Sequence, residues 1–160
     1  MRIISLTATL ALITAPSALY AQAKPGVAVT SKIQVVKVVT DAKGEKKNVL
    51  KDVANAIPGD PLVIWVYFKN GGAAPATSFV INNPVNPSIE FTGFGDNSGW
   101  ALVSVDGGKT FGTLAALKVQ KSDKTFRAAA FADVTNVRWA FPRPIVAAAG
   151  GTLSFYGIVK

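Results

Sequence analysis

Glycine and proline break this chain about every ten residues beyond its first quarter, and the stretches between them are rich in Val, Ile, Thr, Phe, Trp and Tyr. Segments that short and that β-branched cannot nucleate helices of ordinary length, but they suit pleated strands joined by tight turns. In Val27–Thr40, residues Val27, Val29, Ile33 and Val35 fall on one side of a period-two pattern, and Asp41-Ala42-Lys43-Gly44 supplies the closing turn. A short strand is predicted around Asn48–Val53, followed by a turn at Pro58-Gly59-Asp60, with proline and glycine suited to the two central positions. Leu62–Phe68 is apolar on both faces and ends at Lys69-Asn70-Gly71-Gly72, which predicts a central strand covered on both sides.

Further strands are predicted at Thr77–Ile81, Ile89–Thr92, in a hairpin-like segment Trp100–Phe111, and at Leu114–Gln120, Thr125–Phe131, Val134–Phe141 and Thr152–Val159. A proline-rich bend is expected at Pro84 and Pro87. The clusters Ala128–Ala130 and Ala147–Ala149 are too short to hold a helix and are read as loop or strand edge. Eight or so short strands in one domain, with no heptad or internal repeat, predict an all-β fold: an immunoglobulin-like antiparallel two-sheet β-sandwich.

The first residues follow another logic. Arg2 precedes an apolar run from Ile3 to Ile13, then Pro16 and the small-residue stretch Ala21-Gln22-Ala23, the layout of a secretory signal peptide. A membrane-spanning helix needs roughly 20 consecutive apolar residues, whereas Ser5, Thr7, Thr9, Thr14 and Pro16 interrupt this run. Residues 1–23 are therefore read as the signal, with cleavage between Ala23 and Lys24 preferred over cleavage before Gln22, and residues 24–160 as one domain. No segment is expected to span a membrane in the mature form. The product is expected in the periplasm, at the cell surface or in the medium. A chain of about 137 residues can bury roughly two-thirds of its unfolded surface, and without cysteine it relies on packing and sheet hydrogen bonds alone.

A net charge of +8 favours encounter with anionic partners such as acidic envelope polymers or glycans. The densest cations, Lys43, Lys46, Lys47 and Lys51, alternate with Asp41, Glu45 and Asp52, which reads as a solvated turn and its flanks. Nucleic acid is not an expected partner, because the aromatics alternate with aliphatics in core-like strands and not with Arg or Lys on one face.

The turn Pro58-Gly59-Asp60, the strand to Phe68, Asn70-Gly71 and then Ala76-Thr77 together resemble a known family. It is the bacterial and archaeal conserved-repeat domain called domain of unknown function eleven, an immunoglobulin-like module of surface and extracellular proteins. The ending Ala149-Gly150-Gly151-Thr152-Leu153-Ser154-Phe155 is similar to the family's closing strand, so the resemblance covers roughly residues 45–160. It implies surface or secreted placement and a structural role, and supplies no reaction. Where family members often carry Asp before Pro, this chain has Asn82-Asn83-Pro84, and where they often form tandem arrays it has one copy.

With neither His nor Cys, the usual general base, thiolate nucleophile and zinc ligands are missing, and a serine hydrolase using a His relay is excluded. Paired carboxylates remain conceivable for a hydrolase, but Asp41, Asp60, Asp106 and Asp123 sit at turns, where acids serve local backbone hydrogen bonds. Ser104-x-Asp106-x-Gly108-x-Thr110-Phe111 resembles the Asp-box of sialidase-like propellers, a folding device there, and predicts a braced hairpin. Gly107-Gly108 is not followed by a helix pattern and is no phosphate cradle. No Asp-x-Asp-x-Asp loop is present, and no metal or other cofactor is expected; an ion at Asp96 or Asp106 is the unfavoured alternative.

Trp65 and Tyr67 share a strand face with no evident cover and form the candidate interaction face, while Trp100 and Trp139 read as core anchors. The expected function is a non-catalytic structural module, with itself as partner through strand exchange or homo-oligomerisation. In that reading Val27–Val39 either pairs at home or is lent to a neighbour. The alternative is a binding module for anionic envelope polymer or glycan, and a carboxylate hydrolase ranks last.

Overall fold

The computed structural model describes residues 26–95 and 100–160, apart from the side chain of Asn55. The expected cleavage site at Ala23 and Lys24, and Asp96, lie outside the described residues.

The fold is all-β with antiparallel sheets. The first strands are β1 (Val27–Thr40), β2 (Lys46–Asp52), β3 (Pro61–Asn70), β4 (Val80–Pro84) and β5 (Ile89–Phe94). The chain continues through β6 (Ala101–Ser104), β7 (Lys118–Gln120), β8 (Phe126–Ala128), β9 (Asn136–Ala140) and β10 (Gly150–Val159). A five-stranded sheet has the order β2-β1-β3-β10-β5, a three-stranded sheet the order β4-β9-β6, and β7 and β8 form a separate hairpin.

The two larger sheets share one core. Val35, Leu62, Ile64, Val66, Phe91, Leu153 and Phe155 come from the first sheet. Ile81, Val103, Val137 and Trp139 come from the second. Both sets follow the period of two, since alternate residues of a strand face the same side. Aromatic contacts of Trp139 with Phe94 at 5.7 Å and with Phe155 at 6.2 Å tie the layers together.

β1 is long enough to serve two partners. Its first part pairs with β3, from Val27 opposite Asn70 to Val35 opposite Leu62. Its second part pairs with β2, from Gln34 opposite Asp52 to Thr40 opposite Lys46. The strand therefore lies in the chain's own sheet along its whole length. The turn between β1 and β2 is held by the Asp41 carboxylate, which accepts the amides of Lys43 and Glu45, and by Gly44 at φ +85°. Pro58 and Gly59 occupy the centre of a second turn: the Asp60 amide donates to the Ile57 carbonyl at 3.0 Å, and Gly59 takes φ +90°, which a type II turn reserves for glycine.

Several boundaries differ from the sequence expectation, each for a local reason. The strand predicted at Thr77–Ile81 begins only at Val80, because Ala76 bridges to Ile145 and Ser78 turns the chain at φ +51°. Leu114–Ala116 is a single 3-10 turn that brings Leu114 against the core, so β7 keeps only three residues of the predicted Leu114–Gln120. Likewise β8 stops at Ala128, and the Asp133 carboxylate draws the Ala130 amide into a 3-10 turn at Phe131–Asp133.

The strand order also departs from the immunoglobulin arrangement. Setting aside β2 and the β7–β8 hairpin, seven strands fill a four-plus-three layout in which the chain order of the larger sheet is first, second, seventh, fourth, and of the smaller third, sixth, fifth. The constant-type immunoglobulin order puts the fifth strand in the larger sheet and the seventh at the edge of the smaller. Here those two places are exchanged, and the terminal strand β10 lies between β3 and β5.

β3 is central, between β1 and β10, but the smaller sheet packs on only one of its faces. On the other face Val63 is buried, Trp65 is half-buried and Tyr67 is exposed. The expected cover on both sides is thus present on one, because the second layer has three strands and lies wholly on the inner side.

Candidate interaction face

The polar side chains divide into those that hold turns and those that stand free. Asp106 belongs to the first kind. Its carboxylate accepts the Ser104 hydroxyl at 2.6 Å, the Thr110 hydroxyl at 2.6 Å and the amides of Thr110 and Lys109 at 3.0 Å. Ser104, fully buried at the end of β6, in turn accepts the Gly108 amide at 2.9 Å, and Gly107 and Gly108 take positive φ values that let the loop fold over it. Val103 bridges to Gly112 to close this braced hairpin. Phe111 does not join the core cluster: the Arg138 guanidinium lies 3.5 Å from its ring centroid, with the Arg138 Nε donating to Asn82 Oδ1 at 2.7 Å. These donors to Asp106, the two hydroxyls first, hold its carboxyl far below the usual carboxylate range.

The other turn acids are occupied in the same manner. The Lys47 ammonium and the amides of Glu45 and Lys43 lower Asp41. The Lys37 ammonium, paired with Asp60, and the Ile57 amide lower Asp60. The Thr125 hydroxyl and amide lower Asp123. Asp133 is lowered by a two-pronged pair with Arg127, at 2.6 and 2.7 Å, and the same contact raises the arginine. That pair spans the β8 strand and the following turn and was not visible in the sequence, where neither helical nor strand periodicity pairs positions six apart across a turn. No group of three or more acids among the described residues is arranged to hold a metal ion.

Asn70 is the other buried polar residue of consequence. Its side chain donates to the carbonyls of Ala74 at 2.9 Å and Ile145 at 2.8 Å and accepts the Gly72 amide at 3.0 Å. It pins two loops to the end of β3. Gly71 beside it donates its amide to the Gly26 carbonyl, tying the start of β1 to the same corner.

The free groups gather on the outer face of the five-stranded sheet. Register places Tyr67 between Thr30 and Thr152, Trp65 between Lys32 and Ser154, and Val63 between Gln34 and Tyr156. Tyr156, which sequence analysis left unassigned, therefore joins Trp65 and Tyr67 on one surface. Only the pairing of β10 with β3 reveals this, since the two segments are far apart in the chain. Tyr156 leans toward Gly95, where an added Cβ would come within 3.1 Å of its hydroxyl.

No family model, curated protein or solved structure matches this chain. Its function is therefore read from its own geometry.

Proposed function

We propose that the chain is a non-catalytic structural module of the bacterial exterior, exported by its first 23 residues and working through its surface. One observation carries this reading: Asp41, Asp60, Asp106, Asp123 and Asp133 all accept hydrogen bonds or ion pairs from their own turns, and all are lowered in pKa. A general acid at neutral pH needs the opposite shift, upward by burial or by a neighbouring carboxylate. We further propose kinship with the conserved-repeat domain of unknown function eleven, within an immunoglobulin-like layout that has two strand places exchanged. The structural work done by its shared residues, the Pro58-Gly59-Asp60 turn and the Asn70 anchor, supports that kinship.

In this reading β1 is the subunit's own strand, supported by its registered pairing with β2 and β3, and assembly by strand donation would require it to leave both. The test is to express the full chain in a bacterium, recover the protein by cell fractionation and determine its N-terminus. The expected product begins at Lys24, lies outside the cytoplasm and hydrolyses no glycoside or ester of a standard panel. A full-length cytoplasmic product, or a hydrolysis that an Asp→Asn substitution abolishes, would contradict the proposal.

A second reading, binding of anionic envelope polymer, is favoured by the β1–β2 hairpin. Its Lys43, Lys46 and Lys51 are exposed and make no ion pair among the described residues. It requires retention on a sulfonate matrix at low salt and release that follows ionic strength; flow-through at low salt eliminates it.

A further inference from the structure

A sheet with one face in solvent ordinarily alternates apolar residues inside with polar residues outside. The five-stranded sheet breaks that rule. Besides Trp65, its outer face displays Val38 at 63% exposure, Leu50 at 47%, Tyr156 at 44%, Tyr67 at 40% and Ile158 at 39%. Trp65, Tyr67 and Tyr156 pack against no other aromatic ring among the described residues. Contiguous apolar patches of this kind are uncommon on soluble monomers and mark interaction sites.

We propose that this face is a self-association surface, on which two copies of the chain pack sheet against sheet about a two-fold axis. Charge selects the occupant. Two mature chains, each still strongly basic without Arg2, repel one another, so they approach best where the local charge is close to balanced. On this face Lys32 lies 3.8 Å from Asp52, Glu90 and Lys69 stand at opposite ends, and Lys46 lies at the hairpin end opposite Thr40, so three lysines face two acids and the face is close to neutral. Most of the surplus cations lie elsewhere, around Lys43 at the β1–β2 tip and on the β7–β8 hairpin with Lys118, Lys121 and Lys124. A strand of single-stranded nucleic acid or an acidic polymer would need that surplus beside the rings.

Area is consistent with the same occupant. From strand spacing and rise the apolar part of the face measures about 500 Å², or about 1,000 Å² for a pair, the size of a weak, reversible interface. Two flat sheets pack with their strands nearly aligned, and an isologous contact of one face with itself is the commonest way for identical chains to join. Aliphatic Ile158 beside Tyr156, and Leu50 and Val38 at the other end of the face, fit another sheet better than a sugar chain, whose hydroxyls they cannot partner.

The proposal takes assembly as the use of the structural module, but it stands or falls separately. Sedimentation equilibrium of the mature chain should give a dimer at micromolar concentration. The double variant Leu50→Lys, Tyr67→Lys should weaken association at least about 100-fold, equivalent to one charge-sized loss of about tenfold at each position. Phe126→Lys, an exposed aromatic on β8 away from the face, should leave it unchanged. Hydroxyl-radical footprinting of the unmodified chain supplies a readout that needs no variant: Trp65 and Tyr156 should become protected as concentration rises, while Phe126 does not. A monomer at all concentrations up to the hundreds of micromolar, or a dimer unaffected by the double variant and with Trp65 unprotected, overturns the proposal. So does a monomer in which Trp65 is protected only on adding cellohexaose, which would assign the face to a neutral glycan. Each of those results leaves the exported structural module intact, whereas a cytoplasmic or catalytic product removes that reading whatever the oligomeric state.

Discussion

Asn70 ends the central strand with its amide buried and every hydrogen-bonding atom of its side chain engaged. An amide is needed there because the site offers two carbonyls and one N–H, which match the two donors and one acceptor of Asn. Asn70→Ala leaves the Ala74 carbonyl and the Gly72 amide without this partner and the Ile145 carbonyl with the Ala76 amide alone, and an unsatisfied buried group costs about 1–3 kcal/mol. The expected loss of stability is about 3 kcal/mol or more, read from urea unfolding, with Asn70→Asp no better because a carboxylate cannot donate to either carbonyl. Loss below about 1 kcal/mol would show that the two loops are held by other means. Position and residue type were legible in the sequence as the polar end of a strong strand, but not the distant partner: Ile145 lies 75 residues away. The Asp106 brace was open to sequence reading for the opposite reason, since all its donors lie within four residues. The stacking of Arg138 on Phe111 was not, because Arg138 arrives on another strand.

At the scale of elements, glycine marks where strands approach too closely for a side chain. Gly157 of β10 sits at the irregularity in the β10–β5 pairing, and a Cβ there would collide with Ile89 Cγ2 and lie 2.9 Å from the Glu90 carbonyl oxygen. Backbone cannot yield as the end of a flexible side chain can, so Gly157→Ala forces β5 away from β10 and should destabilise by about 1–3 kcal/mol. Amide exchange should report the change as faster opening of Ile89–Phe91 with β1–β3 pairing unaffected; uniform loss across both regions would mean that the β5 edge is not a separate unit.

β1, β3 and β10 were readable as runs of β-branched and aromatic residues between turn signals. Alternation misplaced β4 and overran β7 and β8, because Ser78, the Leu114 turn and the Asp133 turn impose backbone conformations that hydrophobic period does not encode. Strand order lies beyond local pattern altogether, since which strands pair is decided by contacts across the whole chain.

For the molecule as a whole, two sheets of unequal size close on one core and leave the outer face of the larger uncovered. The candidate face was half legible: Trp65 and Tyr67 stood out on their strand, but Tyr156, Leu50 and Ile158 join them only once the sheet is assembled. The acids act together on pH. A carboxyl whose pKa is lower in the folded than in the unfolded state stabilises the fold above the unfolded value and loses that contribution as pH falls through the folded one. Asp41, Asp60, Asp106, Asp123 and Asp133 all shift this way, so the domain should be stable at neutral pH and weaken below about pH 4. The most direct measurement of their role is an NMR titration of the carboxyl carbons in the mature chain. All five aspartates should titrate below the ordinary value of 3.8. A turn aspartate titrating above about 6, the range of a working general acid, would contradict a molecule in which these five carboxylates serve to hold turns.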